Sequence, residues 1–113
     1  MLVGFSFKAR PGKAEELETL LSDPEGGRRV AAAMGATRNI LFWQGDRMVR
    51  ILKFPEGTTP VPMAEVARRD ADVAAFLARV GRLTDPPFDP AVPGSLEEFS
   101  ARTALRLAYD VRP

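Results

Sequence analysis

Asn39, Trp43 and Arg50 are the side chains of this 113-residue chain whose types and spacing could act together on a small molecule. Asn39 and Trp43 stand four residues apart, so in a strand they share a face. Arg50 joins that face if the segment folds back around Gly45 and Asp46. A guanidinium can hold an enolate or phenolate by charge-assisted hydrogen bonds. An indole ring can stack on a flat aromatic, and its N–H can donate to a phenolate or peroxide oxygen. A carboxamide among apolar neighbours must find partners, and a substrate carbonyl is one. Each side chain also has a plainer use. Trp43 can anchor a core or a subunit interface. Asn39 can bond backbone or solvent at a strand end, and Arg50 can pair with a carboxylate of a second subunit. Leu41, Met48, Leu52 and Tyr109 are the expected substrate contacts around the trio. Core filling is the alternative for Met48, and strand-face packing is the alternative for Tyr109.

The composition closes off other chemistries. The chain holds no Cys and no His. There is therefore no disulfide framework, no thiolate nucleophile and no Ser-His-Asp triad. Zinc, copper and non-haem iron sites depend on imidazole or thiolate and are disfavoured. No carboxylates are spaced for Mg²⁺ or Ca²⁺. The expected site thus uses no metal and no cofactor. A net charge of +1 gives no electrostatic case for nucleic acid, which usually needs a concentrated basic patch, and the local pairs Arg28–Arg29 and Arg68–Arg69 read first as solvated edges. A hydrophobic fraction of 45% suits a core within one domain spanning residues 1–113. No run approaches the roughly 20 apolar residues of a membrane span. Residues 1–8 lack the basic region and cleavage-like site of a signal peptide. The expected setting is the cytoplasm, with no membrane partner.

The elements that must position the trio follow from hydrophobic period. Val3, Phe5 and Phe7 alternate with Gly4, Ser6 and Lys8, which predicts a half-buried strand over residues 2–9. Ala14, Leu17, Leu20 and Leu21 form a helical stripe over residues 13–22, with Glu15, Glu16 and Glu18 near the helix start. Asp23-Pro24 ends that helix, Gly26-Gly27 reads as a turn, and residues 30–34 read as a short helical piece. Residues 38–44 and 47–54 read as a hairpin whose two-residue, Gly-first turn is of type I′ or II′. Its register sets Trp43 opposite Met48, Leu41 opposite Arg50 and Asn39 opposite Leu52. Ile40, Phe42, Val49 and Ile51 then occupy the other face, fringed by Arg38, Gln44, Arg47 and Lys53. A helical pattern runs over residues 63–83, with a break near Arg69 that Asp70 or Asp72 can cap. Residues 84–94 carry four prolines and read as a connector. Residues 95–99 suggest one helical turn, and residues 103–111 read as a last strand. This βαββαβ order predicts an α+β, ferredoxin-like fold with an antiparallel sheet. Helices cover one sheet face, and the second apolar face predicts pairing with another copy.

Residues 7–17, Phe-Lys-Ala-Arg-Pro-Gly-Lys-Ala-Glu-Glu-Leu, resemble the first strand-to-helix junction of antibiotic biosynthesis monooxygenases and other dimeric α/β-barrel proteins. The hairpin Ala-Thr-Arg-Asn-Ile-Leu-Phe-Trp-Gln-Gly-Asp-Arg-Met-Val-Arg, residues 36–50, resembles the SchA/CurD-like proteins of actinomycete aromatic polyketide and spore-pigment clusters. The Arg-Arg-Asp-Ala-Asp-Val segment and the proline-rich stretch after the second helix are similar to that family's layout. The resemblance implies a homodimeric dimeric-barrel protein that tailors or folds an aromatic polyketide. Its relatives include cofactor-independent monooxygenases that oxidise phenolic polycycles with dioxygen. Those enzymes use Asn, Trp, Tyr and Arg in a mostly apolar pocket, without metal or flavin. The chain has Asn39 and Trp43 four apart on one strand face, as some of these enzymes do, and with Arg50, which the hairpin register adds, they are the expected catalytic residues; Tyr109 lies on a different element from the family's tyrosine. The alternative functions are a redox-neutral cyclase or dehydratase, and a non-catalytic accessory that binds a polyketide intermediate or a synthase subunit.

Overall fold

The alternation at the start of the chain becomes strand β1 (Leu2–Ala9), with Phe5, Phe7 and Ala9 buried. The structure is a computed structural model that describes residues 1–112. After β1 come α1 (Ala14–Leu21), α2 (Pro24–Met34), β2 (Arg38–Gln44), β3 (Arg47–Lys53), α3 (Met63–Arg69) and α4 (Ala71–Gly81). Two short strands, β4 (Thr84–Asp85) and β5 (Ala104–Leu105), flank α5 (Ser95–Thr103). The fold is α+β, with a five-stranded sheet in which β2, β3, β1 and β4 lie in that order and β5 also pairs with β1. Every pairing is antiparallel.

The hairpin has the register that its sequence predicts. Trp43 faces Met48, Leu41 faces Arg50 and Asn39 faces Leu52. Gly45 has φ of 61° and Asp46 has negative φ, which selects type II′ over type I′. Register also decides which face is covered. Arg50 lies beside Phe5, Met48 beside Phe7 and Leu52 beside Val3. Paired residues project to one side, so Asn39, Trp43 and Arg50 share the side on which the core is built. On the other side Phe42 is 58% exposed, and Ile40, Val49 and Ile51 are half-buried.

Two local expectations are corrected. Gly26 and Gly27 do not form a turn but lie inside α2. Asp23 caps this helix by accepting from the Glu25 amide at 3.1 Å, Pro24 opens it, and Gly35 closes it with φ of 93°. The glycines remain because neighbours press on them. A Cβ on Gly26 would lie 2.5 Å from the Phe76 ring, and one on Gly27 would lie 3.1 Å from Asn39 Nδ2. Close approach to α4 and β2 therefore outweighs the poor helix propensity of two glycines. Thr84, read as connector, instead starts β4 and is buried, with its hydroxyl donating to the Pro86 carbonyl at 2.9 Å.

The C-terminal expectation changes most. Residues 95–103 form a full helix, α5, docked on β1 through Phe99, whose ring meets Phe7 edge-on at 5.3 Å. The last strand shrinks to Ala104–Leu105. Residues 106–112 follow without regular structure, and Leu107, Tyr109 and Val111 are exposed. Period-two alternation makes a strand only where a neighbouring strand supplies backbone partners, and these residues meet none among the described ones. Between β3 and β5, Asp70 caps α4 through the Asp72 and Val73 amides, as the break near Arg69 predicts. Asp72 lies in the first turn of α4 rather than at its cap. Among the described residues no helix is long and apolar enough to cross a membrane.

Candidate functional site

Arg50 sits mid-strand on β3, half-buried, where the pleat turns it toward α2. Its Nε donates to Asn39 Oδ1 at 3.0 Å. Asn39, across the ladder on β2, donates from Nδ2 to the Gly27 carbonyl at 3.3 Å. The carboxamide thus joins the guanidinium to the backbone of α2 and fixes the plane in which Arg50 lies. The terminal nitrogens of Arg50 have no hydrogen-bond partner among the described residues. No carboxylate there lies within ion-pair distance of Arg50 either. The side chain keeps partial solvent exposure, yet the protein packed around its head group lowers its pKa to about 10 through desolvation.

These residues line a hollow of about 350 Å³ between β2, β3 and α2. Arg28 and Arg38 also line it, against the single carboxylate of Asp23. Arg28 is paired with Glu25 at 3.3 Å, whereas Arg38 has no ion pair among the described residues. Arg38 and Arg50, unpaired among the described residues, outnumber the carboxylate of Asp23 and make the hollow electropositive. It can hold an anion in a fixed orientation, because Arg50 presents a planar fork already turned by Asn39.

The structure treats the other candidate residues differently. Leu41 lines the hollow beside Arg50. Met48 and Leu52 belong to the hydrophobic core, at 0% and 2% exposure. Trp43 lies toward the turn, roughly 13 Å from Asn39 at about 3.3 Å per strand residue. It is not among the residues that line the hollow, and it packs against the core. Its indole Nε1 is shielded from water and finds no acceptor among the described residues. Tyr109 is 79% exposed in the segment after β5. Asn39, expected among apolar neighbours, is exposed and tied by its two hydrogen bonds. The trio thus shares a face, but only Asn39 and Arg50 are joined.

Sequence reading missed α2 as a wall of the site, and with it Gly27 and Arg28. The signal was present as Asp23-Pro24-Glu25, a cap, a proline at the first helical position and an acid in the first turn. The two glycines that follow hid it. Among the described residues no three Asp, Glu, His or Cys side chains gather as a metal site. Comparison with protein-family models, with curated proteins and with solved structures gives no match.

Proposed function

We propose that this chain is a polyketide-tailoring protein that binds an anionic aromatic polyketide in the hollow around Arg50. The observation that carries the reading is the Arg50–Asn39 pair: a desolvated guanidinium, oriented at 3.0 Å by a carboxamide and lacking a carboxylate partner among the described residues. Such a group leaves an unmet demand for negative charge. A phenolate or enolate oxygen meets that demand.

The reaction we assign is cofactor-independent monooxygenation. A methylene between aromatic rings loses a proton to solvent, and Arg50 stabilises the resulting anion. The anion gives one electron to dioxygen, and the two radicals combine as a peroxide. Loss of water leaves a ketone, with one oxygen atom in the product and one in the water. A redox-neutral cyclase or dehydratase is the second reading. Its specific support is the position of Trp43, which lies outside the lining of the hollow and so gives a peroxide no indole donor there.

The strand order β2-β3-β1-β4 supports a ferredoxin-like reading of the sheet. The uncovered face bearing Phe42, Ile40, Val49 and Ile51 supports a homodimer of the dimeric α/β-barrel type. We place this protein in the cytoplasm as part of the same reading.

Oxygen uptake with an anthrone substrate tests the assignment. Arg50→Met is expected to lose about 10²-fold in rate, the loss typical of removing one anion-stabilising donor. Asn39→Ala is expected to lose less. Equal rates in wild type and both variants would remove the site. Product formation without oxygen would select the redox-neutral reading, and Trp43→Phe, outside the lining of the hollow, is expected to leave either rate unchanged.

A further inference from the structure

A second hollow lies on the helix-covered side of the sheet, over β1 rather than over the hairpin. It encloses about 480 Å³ between β1, the 55–62 loop, α3 and α5, and it shares no lining residue with the Arg50 hollow. Its walls are Phe5, Phe54, Met34, Met63, Pro60 and Pro62. Phe54 is 1% exposed and Met34 6%, so the floor is part of the core. The loop wall is held in place. Val61 donates its amide to the Met34 carbonyl at 3.0 Å, and the two prolines fix the backbone on either side of it. Such a hollow stays open instead of collapsing, and its volume falls within the roughly 300–1,000 Å³ of small-molecule sites.

Only one part of the lining is polar. Glu97 and Ser100 stand three residues apart on one face of α5. Glu97 has no ion-pair partner and the Ser100 hydroxyl makes no hydrogen bond among the described residues. No Lys or Arg lines the hollow. A carboxylate and a hydroxyl at the edge of an apolar cavity welcome a donor head group and repel an anion. Two methionines let the walls adjust to a rigid or a flexible body.

We propose that this cavity binds an uncharged lipophilic small molecule with a hydrogen-bond donor head group, the head on Glu97 and Ser100 and the body against Phe5, Phe54 and the two methionines. The site is independent of Arg50 and selects against the charge that the Arg50 hollow selects for.

The test uses the full chain and the fluorescence of 1-aminoanthracene, a neutral aromatic amine, with 1-decanol and decanoate as competitors near neutral pH. The probe is expected to bind, and 1-decanol to displace it at about tenfold lower concentration than decanoate, a difference of about 1.4 kcal/mol. Glu97→Gln is expected to shrink that preference to within about threefold. Val61→Trp, which fills the cavity, is expected to abolish probe binding, and Arg50→Met to leave it unchanged. Glu97→Gln alters an exposed side chain, so its result stands even if Val61→Trp fails to fold. Absence of probe binding to the wild type overturns the proposal. Equal displacement by alcohol and carboxylate, or loss of binding in Arg50→Met, overturns it as well.

Discussion

The two hollows share a sheet face and differ in what their walls do for the protein. The hollow over the hairpin is lined by three guanidinium groups, of which Arg38 and Arg50 have no ion pair among the described residues. Among the described residues Arg50 has no counter-ion, and desolvation lowers its pKa. The hollow over β1 is lined by Phe5, Phe54 and Met34, which are also core. The difference predicts that Arg50 is separable from stability, whereas Phe5, Phe54 and Met34 are not. A group that folding would rather omit, but that the architecture nevertheless orients, is a stronger pointer to ligand chemistry than a well-packed aromatic.

Substitutions at the two ends can break that comparison. Phe54→Ala removes a fully buried ring and is expected to destabilise the fold by about 3–5 kcal/mol in urea unfolding. A loss below about 1 kcal/mol would mean that the β1 end is not core. Gly26→Ala puts a Cβ 2.5 Å from the Phe76 ring. It is expected to cost about 1–3 kcal/mol by overpacking between α2 and α4. Thermal melts beside the wild type measure this.

Arg50→Met sharpens the contrast from the other end. The folded pKa of Arg50, about 10, lies below the ordinary guanidinium value, so the folded state releases this proton first. The unfavourable contribution is therefore present at all pH below about 10 and is relieved as pH rises further, toward the ordinary guanidinium pKa. Near neutral pH the variant is expected to unfold no earlier than wild type, and the difference to narrow above pH 10. A variant that melts well below wild type would show that Arg50 is structural. The smallest effect is at Asp70, whose carboxyl is held below its ordinary pKa by the Arg29 side chain. A depressed carboxyl stabilises above the unfolded value of about 4 and loses that contribution as pH falls below it. Asp70→Asn is thus expected to lower the melting temperature near neutral pH, with the gap closing in acid.

The hairpin was legible because its information is local. A period of two, a Gly-first turn and seven residues on each side leave one register that puts Met48 and Leu52 inside. The Asp70 cap was legible for the same reason. Helix α2 was not, because the reason for its glycines lies at Phe76 and Asn39, far along the chain. Residues 103–111 misled in the opposite way. Their alternation is real, but only Ala104 and Leu105 find a neighbouring strand. Within the site, sequence placed Asn39, Leu41 and Arg50 on one face. It could not foresee that Trp43 would be held outside the hollow, since side-chain reach depends on which helix packs above.

One hydrogen bond ties recognition to the seating of a helix. Because Asn39 turns the guanidinium while leaning on the Gly27 carbonyl, the aim of Arg50 moves whenever α2 shifts. Arg29, two residues further along α2, is clamped to Asp70 by two hydrogen bonds of 3.0 Å. Binding of the proposed anion at Arg50 is, by thermodynamic reciprocity, expected to steady α2 against α4, and slower deuterium exchange of the α2 amides in the filled hollow checks it.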